Sequence, residues 1–148
     1  MSPLDVLLAE NACRAQVLAA AAAVDGQDYA GLVRLFTPNA TLARPHDVQL
    51  VGRQAIFDAY AARDPDRLTR HLVCNLAVSV QGEGRAVASC RILLWSGRRS
   101  DPHTPRGRPA DGKQQVGEID DWLVQADGQW LIERREARFS LWRDAGAA

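Results

Sequence analysis

One histidine stands at the mouth of an apolar run. Thr69-Arg70-His71-Leu72-Val73-Cys74-Asn75 opens a segment whose Leu72, Val73, Leu76, Val78 and Val80 read as a strand, ended by Gln81-Gly82-Glu83-Gly84. Imidazole titrates near neutral pH, so His71 is a candidate proton-transfer group and equally a candidate for a satisfied histidine inside a core. Arg44, just before Pro45, carries the planar fork that suits a carboxylate, whether on a ligand or on a nearby acid. Asp120 and Asp121 are adjacent, so strand alternation sends one to each face. Asp121 shares parity with Ile119 and Leu123 and is the one expected inward, facing a pocket or paired with Arg134 or Arg135. Trp95 and Trp122 lie in strand-like runs, as ligand platforms or as core and subunit contacts.

Other chemistries find little support. His46, His71 and His103 are scattered without paired-ligand spacing, so no metal is expected. Cys13, Cys74 and Cys90 are odd in number and lack CxxC spacing; they read as small buried apolar residues in a reducing compartment. Of eighteen basic residues only Lys113 is a lysine, in a loop-like stretch, which disfavours a Schiff base. No phosphate loop or nucleophile elbow is present, and no cofactor is expected. The formal net charge of zero predicts no attraction to nucleic acid or to an anionic membrane. No uninterrupted apolar run reaches the length of a membrane span and no signal-peptide pattern opens the chain, so a cytoplasmic protein is expected.

The elements that must position these residues follow from local signals. At 148 residues the chain is read as one domain. Ser2-Pro3-Leu4-Asp5 starts a helix that stops at Gly26, with Leu4, Leu8, Ala15, Leu18, Ala21 and Val24 as its apolar face. Asp28 caps a second helix that turns Leu32, Leu35 and Phe36 inward and ends at Pro38-Asn39. Short extended segments at 40–44 and 48–51 precede a third helix after Gly52, carrying Ile56, Phe57 and Tyr60. Four long antiparallel strands are expected at 69–81, 86–95, 114–125 and 129–141, with Asp127-Gly128 as a hairpin turn. Residues 96–113, rich in Pro, Gly and Arg, read as a mobile loop, and 142–148 as a tail. Helices followed by a strand meander predict an α+β domain, a curved antiparallel sheet closed by three N-terminal helices.

Several of these pieces together resemble the nuclear-transport-factor-2-like superfamily. They are Val24-Asp25-Gly26-Gln27-Asp28-Tyr29 with Leu32, Leu35-Phe36 and Asn39-Ala40, then Gly52-Arg53-Gln54-Ala55-Ile56, Thr69 to Asn75, and Asp127-Gly128-Gln129-Trp130 with Arg134-Arg135. More narrowly the chain is similar, over about residues 10–141, to the SnoaL-like branch. That branch includes polyketide cyclases, scytalone dehydratases and the small subunits of ring-hydroxylating dioxygenases. The resemblance implies a cone-like half-barrel around an internal pocket and a dimer or higher homo-oligomer. It places Asp25 and His71 where scytalone dehydratases keep a catalytic aspartate and histidine. Two tyrosines of those enzymes fall on Val24 and Arg44, and a late serine and asparagine on Gly117 and Ile119. The tyrosine and aspartate of ketosteroid isomerases fall on Ala20 and Arg44. Two functions stay open. One is an acid–base enzyme (dehydratase, isomerase or cyclase) with Asp25 and His71 catalytic and Arg44, Asn75, Trp95 and Asp121 binding a small apolar or aromatic substrate. The other is a non-catalytic binding protein or dioxygenase-type small subunit in which His71 is architectural. In either case the expected pocket lining is Leu18, Leu35, Phe36, Phe57 and Val73.

Overall fold

Ser2 caps the first helix as expected. Its hydroxyl accepts from the Asp5 backbone N–H while the Asp5 carboxylate takes the Ser2 N–H, which satisfies two otherwise orphaned donors. This helix is α1 (Pro3–Asp25). Asp28 caps α2 (Tyr29–Arg34) through the Gly31 N–H. Strands β1 (Phe36–Ala43) and β2 (Leu50–Val51) form an antiparallel pair, and α3 (Arg53–Ala61) follows Gly52. Four long strands complete the chain: β3 (Arg67–Gly82), β4 (Arg85–Arg98), β5 (Lys113–Ala126) and β6 (Gln129–Asp144). The computed structural model describes residues 1–145; the expected tail from 142 begins inside β6, and residues 146–148 lie outside the described residues. The fold is α+β, with one six-stranded sheet in the order β2-β1-β6-β5-β4-β3.

Several expectations need correction. Helix α2 stops at Arg34, and Phe36, Pro38 and Asn39 belong to β1, whose register breaks between Phe36 and Thr41 and so accommodates the proline. The β1–β6 pair is parallel; no short turn joins these strands, so nothing local imposed the antiparallel sense. Helix α1 buries Ala9, Cys13, Val17, Ala20 and Val24, while Leu4, Leu8 and Leu18 stay exposed. Small side chains let the helix lie close to the sheet, and in an alanine-rich helix they compete with leucines for the inner face. By length and composition α1 is apolar enough to cross a membrane, a test that the core helix of a globular domain also passes. Cys74 is exposed, whereas burial pushes the Cys13 and Cys90 thiols up to about 11 and keeps them protonated at neutral pH. In the segment between β4 and β5, Ser100 donates through its backbone N–H (2.7 Å) and its hydroxyl (2.8 Å) to the Asp66 carboxylate, and the Asp111 N–H donates to the Ser96 carbonyl.

One-residue bulges set which side chains face the interior. In β3, Cys74 pairs with Arg91 and Ala77 with Ser89, so three steps on β3 span two on β4. Asn75 lies in this bulge with φ 53°, a left-handed conformation that asparagine tolerates better than most residues. Before the bulge Thr69, His71 and Val73 are the more buried residues; after it Leu76, Val78 and Val80 are. In β6, Arg134 pairs with Trp122 and Ile132 with Leu123, so Glu133 is the extra residue. Trp130 and Ile132 are buried ahead of that bulge and Arg135 beyond it; unbroken alternation would have put Arg134 inside.

If Asn75 is needed for this conformation, Asn75→Val lowers the unfolding free energy by about 1–2 kcal/mol, whereas Asn75→Gly changes it by less than about 1 kcal/mol. Equilibrium urea unfolding of the two variants checks this, and equal losses would remove the backbone argument.

Candidate active site

Asp25 is the last residue of α1, where a carboxylate opposes the helix dipole. It is held there by β3. One carboxylate oxygen accepts the Thr69 hydroxyl at 2.9 Å and faces the His71 Nδ1 at 2.5 Å; the other accepts the His71 backbone N–H at 2.8 Å. Burial pushes the Asp25 carboxyl up, but the bonds from the His71 ring and backbone, the His71 charge and the Thr69 hydroxyl outweigh it, so its pKa lies below the ordinary 3.8. An ionised acceptor fixes the tautomer: the proton sits on Nδ1, and Nε2 has no hydrogen-bond partner among the described residues. His71 lines a cavity of about 650 Å³, within the range of roughly 300–1,000 Å³ common for small-molecule sites. Asp25 is not itself among the lining residues; it stands behind the imidazole.

The cavity lies between the sheet and the helices. Val17, Ala20 and Val24 of α1 face Val73, Ile92, Leu94 and Ile119 of the sheet, and Gly117 leaves room where a side chain would project. Charge is added by arginines. Arg44, Arg63, Arg67, Arg135 and Arg138 all border the cavity, with Tyr60 among them. Arg135 is 6% exposed and Asp121 1%; the Arg135 Nε and NH2 groups donate to the two Asp121 carboxylate oxygens, each at 2.7 Å. Burial alone would lower the Arg135 pKa, but the Asp121 charge and hydrogen bonds raise it, so the guanidinium stays charged.

The structure brings together His71, Asp25 and Arg44 and disperses the other expected site residues. Arg44 borders the cavity, with NH2 on Asp47 at 2.5 Å and NH1 on the Ala59 carbonyl at 3.4 Å. Asp121 does point inward with Ile119 and Leu123, yet its carboxylate is taken up by Arg135, so the arginine and not the acid meets the cavity. Trp95 is 41% exposed and outside the cavity, because Leu94 beside it takes the inward place. Asn75 is exposed in its bulge and also outside. Of the expected apolar lining only Val73 is present: Phe36 is buried in the core, Leu35 packs against that core, Leu18 faces out, and Phe57 is absent from the wall. His46 and Asp47 are exposed and border the cavity. Sequence reasoning missed Arg63 and Arg67; the one available signal was their placement just after the helix that carries Tyr60. Among the described residues no group of three His, Cys, Asp or Glu side chains is placed to hold a metal.

A family model described as SnoaL-like domain matches residues 5–136. Among solved structures, one provisionally described as a scytalone dehydratase from Novosphingobium aromaticivorans superposes with a TM-score of 0.73 at 20% identity, covering 93% of this chain and 88% of that one. A hexachlorocyclohexane dehydrochlorinase, LinA type 2, superposes with a TM-score of 0.82 at 13% identity, covering 99% and 95%. Rv3472, a protein of unknown function from Mycobacterium tuberculosis, is 26% identical with a TM-score of 0.70, covering 95% and 77%. No match was found among curated proteins.

Removing one partner of the buried pair strands the other, so Asp121→Ala costs about 3–5 kcal/mol, while the joint change Asp121→Leu with Arg135→Met recovers most of it. Urea unfolding of the single and double variants measures both. Asp25 has a depressed native pKa, so its stabilisation is full above the unfolded carboxyl value and is lost as pH falls through the native one. The stability gap between the wild type and Asp25→Asn is therefore widest near neutrality and shrinks below about pH 4. A gap that grows on acidification would contradict the assignment.

Proposed function

The chain belongs to the SnoaL-like domain family, and from that premise we propose that it is an acid–base enzyme catalysing elimination from a small, largely apolar or aromatic molecule. The observation that carries this is the His71 imidazole, with Nδ1 held by an ionised carboxylate and Nε2 unpartnered on a cavity wall. Nε2 takes a proton from a substrate carbon, and Asp25 stabilises the imidazolium that forms. The electron pair of the broken C–H bond becomes the new double bond, and the neighbouring substituent leaves with its own bonding pair. Arg135 borders the same cavity, and its NH1 group has no protein partner among the described residues. A fixed cation there suits the charge that develops on the leaving group. Asp121 serves by holding this guanidinium rigid. The imidazolium then returns its proton to water.

Two similar folds lend support by name, since a dehydratase removes water and a dehydrochlorinase removes hydrogen chloride. Both reactions pull a proton from carbon beside a departing group. His71 is part of the cavity wall, as proton transfer to a bound molecule requires, and Asp25 stands behind it in direct contact with the imidazole.

The test is turnover of a panel of small cyclic compounds with a C–H next to a carbon bearing hydroxyl or halide, followed by the absorbance of the new double bond. His71→Ala is expected to abolish turnover while the variant still folds, with a lowered melting temperature because the Asp25 carboxylate loses its ring partner, and Asp25→Asn to lower kcat by about 10²–10⁴. Should His71→Ala process a wild-type substrate at the wild-type rate, the proposal fails.

A further inference from the structure

The cavity holds positive charge that elimination does not use. The guanidinium carbon of Arg63 lies 4.3 Å from the centroid of the Tyr60 ring and that of Arg44 5.3 Å, so two cations share one aromatic side chain that is only 7% exposed. Arg44 satisfies its NH1 and NH2 groups on Ala59 and Asp47, but its Nε is buried with no hydrogen-bond partner. Among the described residues, neither Arg63 nor Arg67 forms an ion pair, whereas Arg135 and Arg138, on the same cavity, each do. The two acids that border the cavity are paired elsewhere, Asp47 with Arg44 and Glu118 with Arg91 and Arg138. Behind its wall Asp121 is paired with Arg135 and Asp25 with His71, and Asp64, next in the chain to Arg63, forms no ion pair with it. Burial lowers the Arg63 pKa; Tyr60 opposes this, and Arg44 and Arg67 lower it further. Partly buried like charges around one ring raise the free energy of the empty site, and an anion relieves it.

We infer that the missing counter-charge is a carboxylate on the substrate, received by Arg44 and Arg63 beside Tyr60, so that the site selects small aromatic or alicyclic acids over their neutral analogues. A guanidinium offers parallel N–H donors that match the two oxygens of a carboxylate, and the apolar wall formed by α1, Val73 and Ile92 takes the ring. The inference rests on the elimination proposal only for calling this ligand the substrate. Its binding does not require His71.

The probes are naphthoate and its uncharged isostere naphthamide, titrated by calorimetry into the wild-type protein. Naphthoate is expected to bind at least about ten-fold more tightly, and more weakly as salt is raised. Arg63→Gln and Arg44→Gln are expected to bring the two probes to within about two-fold of each other, while Arg63→Lys, which keeps the charge but not the planar paired donors, retains only part of the preference. Equal binding of both probes to the wild type, binding of neither, or a preference that survives both glutamine variants overturns the inference. The assay involves no turnover, so its failure leaves the elimination proposal standing. Turnover that ignores His71 likewise leaves this inference intact.

Discussion

The Asp25 carboxylate is the joint at which helix and sheet are locked together. An acid at the last turn of a helix is electrostatically misplaced, and α1 has no basic residue there to offset it. The compensation comes from β3, through the Thr69 hydroxyl and the backbone and ring of His71. Neighbouring bonds reinforce the same junction: the Gln27 amide donates to the Pro65 and Arg67 carbonyls, and Arg99 donates to the Asp25 carbonyl. Such a joint matters more here than in most folds. The buried face of α1 is Ala, Cys and Val, and small side chains of similar size specify the axial position of a helix only weakly. A directional, charged contact supplies the register that packing leaves loose. The bond that orients the imidazole thus also fixes the helix over the sheet.

Features with a local cause were legible in the sequence. The Ser2–Asp5 box, the Asp28 cap and the Asp127-Gly128 turn each depend on residues within a few positions, and each formed. The strand β3 followed from its β-branched and aliphatic residues. What failed depends on distant contacts. The inner face of α1 could not be read from a helix whose alanines surround its leucines, and the parallel β1–β6 pair has no connecting turn to announce it. Bulges are the subtler case. The switch from Val73 to Leu76 as inward residues was visible as a break in alternation, with Asn75 sitting inside it, whereas Glu133 gave no sign. That second bulge decides whether Arg134 or Arg135 is buried, and so decides which guanidinium meets Asp121.

The site was legible by residue type more than by place. His71 stood out because imidazole is rare in this chain and opens a strand; Asp25 emerged only through family resemblance, since nothing local links residues so far apart. Arginine is the opposite case. With seventeen of the eighteen basic residues being arginine, no single one draws notice, and Arg63 became visible only when burial and pairing were known.

Pairing is what separates the functions of the buried charges. Replacing a buried ion pair with apolar residues of similar volume is often neutral or stabilising, so Asp121–Arg135 is poorly explained as a stability device. It is better explained by where it leaves the guanidinium: against the cavity, with two of its nitrogens anchored and one not. Asp25 does the same for the imidazole, occupying Nδ1 and leaving Nε2. In both cases an acid outside the cavity wall holds a base or cation that forms it, so the reactive group arrives oriented. Arg63 lacks such an acid. Arg44, the other cation beside Tyr60, has Asp47 on one nitrogen, whereas Arg63 has no ion-pair partner among the described residues and would be completed by the carboxylate proposed above. On the two proposals above, Arg135 meets the leaving group and Arg63, with Arg44, receives the carboxylate, although all three guanidinia border one cavity.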